Sequence, residues 1–147
     1  MDTKDNIRKL IELSDIKREY LFDMESFIKK EMKLMEGESG QMSLDVINEK
    51  FKMQEMILKL DTEFVDTLEN LKIDEGVSSI LELDKNRYPS LYDLKVIVDE
   101  IRTFEMGIES LQNKLKNIKL KKIGSAKTIK TTANLNSARV AYKKNKI

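Results

Sequence analysis

The feature that most constrains this chain is a row of apolar residues in its C-terminal half, spaced alternately three and four residues apart. The row fills four consecutive heptads and comprises Leu94, Ile97, Ile101, Phe104, Ile108, Leu111, Leu115 and Ile118. This spacing is typical of one long helix that packs lengthwise against partner helices. The sequence therefore predicts a rod-shaped helical protein.

Two further segments carry apolar stripes of helical period. The first helix is predicted over residues 3–36, with its apolar stripe at Ile7, Leu10, Leu13, Ile16, Tyr20, Leu21, Met24, Phe27, Ile28 and Leu34. Gly37 and Gly40 predict a left-handed turn that ends it. The second helix is predicted over residues 43–72, N-capped by Ser43. Its stripe reads Leu44, Ile47, Phe51, Ile57, Leu60, Phe64, Leu68 and Leu71, and Met53 or Gln54 is expected to fill the irregular step.

The third helix is predicted over residues 90–122, started by a capping box of Ser90 and Asp93. A connection over residues 72–89 precedes it, with a short helix expected around Val77–Leu83. Gly107 lies beside the seam, where it either permits close helix approach or marks a weak point. The predicted fold is all-α, an elongated antiparallel three-helix bundle over residues 1–123. Residues 124–147 are predicted to form a short fourth helix or a flexible C-terminal segment.

Composition limits the compartment and the chemistry. The chain has no cysteine, which excludes disulfides and thiolate metal sites. It contains no apolar run long enough for a membrane span and no signal-peptide pattern at its N-terminus, so a cytoplasmic protein is expected. It has no histidine and no glycine-rich phosphate loop, and acidic pairs such as Asp99–Glu100 are ordinary on solvated helix faces. We therefore predict a protein that is not an enzyme, with no catalytic residue, metal site or cofactor.

Charge is divided unevenly along the chain. Residues 1–109 hold 26 acidic and 16 basic residues, whereas residues 110–147 hold 11 basic residues and no acidic one. A basic patch is predicted at Lys114, Lys116, Lys119, Lys121 and Lys122. Three interpretations remain open: cations that complement the helix C-terminus, a surface for an acidic protein partner or this chain's own body, and a nucleic-acid or membrane contact. Nucleic acid is disfavoured because the tail offers only Tyr142 for base stacking.

Methionine is frequent, with eight residues in the chain. Six of them lie in the predicted helices, at Met24, Met32, Met35, Met53, Met56 and Met106. They either line an adaptable groove for apolar partner helices or fill an irregular core. The sequence does not choose between these two roles.

The order of elements resembles that of the flagellar export chaperones of the FlgN type. The resemblance rests on a long first helix, a glycine-bearing break over residues 37–42, and a second helix with Asn48-Glu49-Lys50-Phe51 and Glu55-Met56-Ile57-Leu58-Lys59-Leu60. A Ser-Ile-Leu-Glu-Leu element at residues 79–83, a third long helix and a C-terminal tail complete it. The filament-cap chaperones (FliT-like) have similar helices and remain an alternative.

The resemblance implies a non-catalytic function. Such a chaperone covers an amphipathic helix of a hook-associated or filament-cap protein by helix-in-groove packing and delivers it to the type III export apparatus. The usual contact region is the C-terminal segment, which implies partner-binding residues at Ile129, Leu135, Val140 and Tyr142. A coiled-coil adaptor or scaffold unrelated to secretion is the second hypothesis, and a homo-oligomer through the helices is compatible with both. A basic nucleic-acid-binding protein is the third.

Overall fold

A computed structural model describes residues 2–37 and 44–126 of the chain, with side chains as far as Lys121. Three long helices dominate it: α1 (Thr3–Glu36), α2 (Leu44–Glu75) and α3 (Ser90–Ala126), with one short 3-10 helix (Ile80–Glu82) between α2 and α3. Contacts of Lys17 with Asp61 and of Glu31 with Lys50 make α2 antiparallel to α1. α3 runs parallel to α1, and the predicted all-α three-helix bundle is confirmed. At about 1.5 Å per residue, the helices are about 50 Å long.

α1 begins and ends where the sequence predicts. Asp2 is its N-cap, and the Asp2 side chain accepts a hydrogen bond from the backbone N–H of Asp5, which satisfies an otherwise unpaired helix-end donor. Gly37 ends the helix with a φ of −70°, so the left-handed turn predicted there is wrong at this residue. Ile16 and Leu34, predicted in the apolar stripe, are exposed. The buried face instead centres on Ile7, Leu10, Leu13, Leu21, Met24, Phe27, Ile28 and Met35.

α2 extends three residues beyond its predicted end because Gly76 supplies the stop. Gly76 adopts a φ of +65°, a conformation that glycine reaches without steric cost. Its N–H donates to the carbonyl of Ile73, and the N–H of Val77 donates to the carbonyl of Lys72. These two bonds form the Schellman arrangement that satisfies the last carbonyls of a helix. The predicted N-cap, Ser43, lies outside the described residues.

The connection between α2 and α3 contains a capping box at Ser79, and the capping box predicted at Ser90 is wrong. Ser79 caps the 3-10 helix, and the Glu82 carboxylate accepts hydrogen bonds from the backbone N–H groups of Ser78 and Ser79. Ser90 is instead the first helical residue of α3. α3 also continues through Gly124 to Ala126, so the predicted helix end at residue 122 and the domain boundary at residue 123 do not coincide with a helix break.

The apolar row of α3 divides into two lines. Leu94, Ile101, Ile108 and Leu115 are buried, and each is seven residues from the next. The intervening members of the row, Ile97, Phe104, Leu111 and Ile118, are only partly buried. A second buried line lies on the other side of the line from Leu94 to Leu115, and it includes Glu105 and Gln112. The seam is therefore real but rotated from the predicted one, and it carries polar side chains into the interior.

Two apolar clusters occupy the two halves of the bundle. At the connection end, where α1 and α3 begin and α2 ends, the buried residues are Ile7, Leu10, Leu71, Leu83, Tyr88, Leu91 and Leu94. Toward the opposite end, they are Leu21, Met24, Ile28, Met35, Ile57, Ile101, Ile108 and Leu115. Met32 and Met53 pack against this second cluster. Most of the helical methionines therefore fill the core at the opposite end, whereas Met106 is exposed.

Candidate functional site

The side of the bundle between α2 and α3 is less closed than the other two sides. α1 packs along both α2 and α3, whereas the backbones of α2 and α3 do not run in close contact over their described lengths. A three-helix bundle buries its helices evenly when each helix touches both neighbours. Here the backbone of α2 lies close to α1 only, and the wider space between the backbones of α2 and α3 is called the gap below.

An uncovered apolar row follows α2 beside this gap. The α2 row consists of Leu44, Phe51, Leu58 and Val65, which are exposed by 71%, 37%, 38% and 38% and lie seven residues apart. Single exposed apolar side chains are ordinary, but four at heptad spacing form a continuous line of about 31 Å. Such a line is what a partner helix needs for lengthwise packing.

The helical register explains why this row is uncovered. Leu58 directly follows the buried Ile57, so the row is turned about 100° from the face that α1 covers. Leu60, which is also buried, lies on the opposite side of Ile57 from the row. Asp61 lies between Ile57 and the row, and it shares its ion-pair partner, Lys17, with Glu105 of α3. The row therefore borders the gap between α2 and α3.

Two clusters of buried charge connect all three helices. In the Lys17 cluster, Lys17 Nζ of α1 lies 2.6 Å from Asp61 Oδ1 of α2 and 3.8 Å from Glu105 Oε2 of α3. All three residues are buried. The cluster holds one cation and two carboxylates, and desolvation raises the pKa of Asp61 although Lys17 opposes this effect.

The Glu31 cluster has the reverse composition, with one carboxylate and two cations. Glu31 of α1 has no solvent exposure; its Oε1 lies 2.9 Å from Lys50 Nζ of α2, and its Oε2 accepts a 3.5 Å hydrogen bond from Lys119 Nζ of α3. The contact between Lys50 Nζ and Glu31 Oε1 does not have hydrogen-bond geometry, so electrostatic attraction at short range holds this pair. Desolvation lowers the pKa of Lys119, with the nearby Lys50 adding to the effect and Glu31 opposing it.

One member of the basic patch predicted on α3 is turned away from the surface. Lys119 is turned into the bundle toward Glu31, whereas Lys114, Lys116 and Lys121 are exposed. The side chain of Lys122 lies outside the described part, as do Ile129, Leu135, Val140 and Tyr142, the residues predicted to contact a partner. Lys119 therefore balances an interior carboxylate, and the predicted surface loses its central member.

Sequence reasoning missed the buried charges, although a signal was present. Glu105, Gln112 and Lys119 lie seven residues apart, each four residues after a member of the α3 row. Polar residues at such a spacing share one helix face, and that face adjoins the seam. Lys17 and Glu31 of α1 lie fourteen residues apart, which matches the separation of their α3 partners.

The described residues hold no obvious metal site or membrane span. Among them, no group of three or more acidic, histidine or cysteine side chains is placed to hold a metal ion. None of the described helices is long and apolar enough to cross a membrane.

No family model, curated protein or solved structure matches this chain. The resemblance to chaperones of the FlgN type therefore stays a prediction from the order and spacing of the helices.

Proposed function

We propose that this protein is a cytoplasmic export chaperone of the FlgN type. It binds an amphipathic helix of a flagellar hook-associated protein and delivers that protein to the type III export apparatus. The observation that carries this proposal is the uncovered α2 row beside the gap between α2 and α3. A partner helix of about 21 residues would match the row in length and cover it with its own apolar face.

The charges beside the row favour an apolar binding mode. The exposed charges of α2 have both signs, with Lys52 and Lys59 as cations and a larger number of anions that includes Glu55 and Glu69. A mixed rim of this kind affects partner choice and association rate more than affinity. We therefore expect the affinity for a substrate helix to change little between 50 and 300 mM salt.

The test compares the α2 row with the tail. Titration calorimetry would measure binding of a peptide from the terminal amphipathic helix of a hook-associated protein to three forms: the full chain, Leu58→Asp, and a chain ending at Ala126. Leu58→Asp should weaken binding at least about tenfold, since a charge would replace a buried apolar contact. Lys59→Asp, one residue further and off the row, is the matched control and should bind within about twofold.

Each outcome has a distinct meaning. Loss of binding in Leu58→Asp, with an unchanged circular dichroism spectrum, supports the α2 row. Loss of binding only in the truncated chain moves the site to the tail residues Ile129, Leu135, Val140 and Tyr142. If no form binds a hook-associated or filament-cap peptide, the chaperone proposal is wrong.

The coiled-coil adaptor is the second proposal, because the heptad spacing of the α2 row also suits a partner helix unrelated to secretion. Light scattering after size exclusion separates the two. A homodimer that Phe51→Asp converts to a monomer, together with no binding of export substrates, would favour the adaptor.

Nucleic-acid binding is disfavoured because Lys119 is occupied by Glu31 in the interior. We expect affinity for duplex DNA or RNA no better than about 10⁻⁵ M near physiological salt. Sub-micromolar binding that falls steeply with salt would reverse this conclusion.

A further inference from the structure

Burial changes abruptly along α2. Between Leu44 and Met56, no residue is buried. The following part of the helix contains all the buried residues of α2: Ile57, Leu60, Asp61, Thr67 and Leu71. The first three and a half turns of α2 therefore contact the bundle through partly buried side chains only, such as Met53.

Methionines form part of the surface beneath these turns, together with the buried Ile28 and Leu115. Met24 and Met35 of α1 are buried there, and Met32 of α1 and Met53 of α2 pack against the same cluster. Methionine is unbranched and polarisable, so it fits irregular gaps and repacks with little strain. The methionines could thus repack if this part of α2 moved, whereas the buried residues of the connection end are leucine, isoleucine and tyrosine.

A buried charge contact links these turns to α1. Lys50 is the residue of the segment that reaches Glu31, and its side chain is only 13% exposed. A buried carboxylate needs a partner to offset the loss of hydration. Glu31 has this partner when the segment is in place, whereas water would hydrate both charges if the segment moved away. The charge pair therefore stabilises the closed position less than an apolar contact of equal size would.

We propose that residues 44–56, the α2 flap, open as one unit over the methionine-lined surface while residues 57–75 stay packed, and that the Glu31 cluster sets how often this happens. Because helix formation is cooperative, the hydrogen-bonded turns of the flap separate from α1 together and not one at a time. The flap rests on the packing of the bundle alone and does not depend on the proposed function. It would nevertheless divide the α2 row, with Leu44 and Phe51 on the moving part and Leu58 and Val65 on the fixed part.

Hydrogen exchange of the full chain measured by mass spectrometry tests the flap. Peptides covering residues 44–56 should show protection at least about tenfold lower than peptides covering residues 57–71, since local opening precedes global unfolding. Equal protection in the two segments would show that α2 opens only as a whole, and the proposal would be wrong.

Variants of the Glu31 cluster test its control of the flap. Lys50→Met leaves Glu31 with Lys119 alone and should speed exchange in residues 44–56 at least about fivefold, with little change in residues 57–71. The triple variant Glu31→Met, Lys50→Met and Lys119→Met replaces the charges with apolar side chains and should slow exchange in the flap. Asp61→Asn, in the Lys17 cluster, is the matched control and should not change exchange in the flap selectively.

The absence of native cysteine allows a second readout if exchange in a variant reflects general destabilisation. A single cysteine introduced by Met53→Cys should react with a thiol reagent at least about tenfold faster than one introduced by Leu60→Cys. Similar rates at the two positions, in variants with equal unfolding midpoints, would overturn the flap.

Discussion

The two ends of this bundle are closed by different interactions. At the connection end, Leu10 and Leu71 have no solvent exposure, and Glu75 of α2 accepts hydrogen bonds from Thr3 of α1 and, at 2.9 Å, from Tyr88 before α3. At the opposite end, methionines and the Glu31 cluster share the interior with Ile28, Ile108 and Leu115. Apolar burial contributes at both ends, but only the second end adds methionines and a desolvated charge to it. The same three helices can therefore be rigid at one end and adjustable at the other.

The largest expected effect separates the two ends directly. Leu71→Ala should lower the free energy of unfolding by about 2–5 kcal/mol, because it opens a cavity in a fully buried cluster. Met53→Ala at the opposite end should lower it by less than about 1.5 kcal/mol, since Met53 is partly exposed and its neighbours can repack. Urea denaturation measures both. Similar losses at the two positions would contradict the difference between the ends.

The next effect concerns the buried charge. Glu31→Gln keeps the shape of the side chain but leaves Lys50 and Lys119 without their anion, and it should cost about 1–3 kcal/mol. Glu36→Gln, an exposed change on the same helix, should alter stability by less than about 0.5 kcal/mol. A neutral result for Glu31→Gln would mean that water already reaches this cluster.

Replacing Gly76 or Gly107 with alanine should change the stability of the protein in opposite directions. Gly76→Ala forces a side chain into a left-handed conformation and should cost about 1–2 kcal/mol at the connection end. Gly107 is helical, and a Cβ there would have Glu25 Oε2 as its nearest neighbour at 3.9 Å, an ordinary contact. Gly107→Ala should therefore raise stability by about 0.4–1 kcal/mol in thermal unfolding. Destabilisation by Gly107→Ala would revive the predicted role of this glycine in close helix approach.

The smallest effect is a difference in acid response. Hydrogen bonds from Thr3 and Tyr88 hold the pKa of Glu75 below its ordinary value, so its contribution to stability is lost as pH falls through the folded-state pKa. Burial raises the pKa of Asp61, so the folded state binds a proton earlier than the unfolded state, and acid favours folding at this site. Between pH 7 and pH 3.5, Glu75→Gln should therefore lose less thermal stability than the wild type, and Asp61→Asn should lose more.

Periodicity predicted the helices because the apolar positions of a long helix repeat regardless of its neighbours. The start of α1 at Thr3 and the presence of a heptad seam on α3 follow from local signals alone. The direction in which each helix turns its buried face does not follow from local signals, because it depends on where the neighbouring helices lie. Ile16 and Leu34 of α1 fit the expected stripe, yet they are exposed because the other two helices cover a neighbouring arc.

The candidate site could be predicted only in part for the same reason. Leu44, Phe51, Leu58 and Val65 are apolar in the sequence, but their exposure depends on the gap between α2 and α3, which local pattern does not encode. Lys17, Glu31 and Asp61 are ordinary surface residues by type, and they are buried because oppositely charged side chains of other helices meet them. Such pairings join residues far apart in sequence, and the regular spacing of Glu105, Gln112 and Lys119 does not say which residues they meet.

The reversed composition of the two charge clusters also fixes how the helices can slide along one another. Lys17 meets Glu105 and Glu31 meets Lys119, and both pairs are separated by the same fourteen residues on α1 and on α3. A displacement of α3 by two heptads would preserve the apolar seam but bring Glu31 against Glu105 or Lys17 against Lys119, which places like charges together in a dry interior. A displacement by one heptad would leave a buried charge facing Gln112. The bundle thus has one alignment that its charges tolerate, although its heptads alone would permit several.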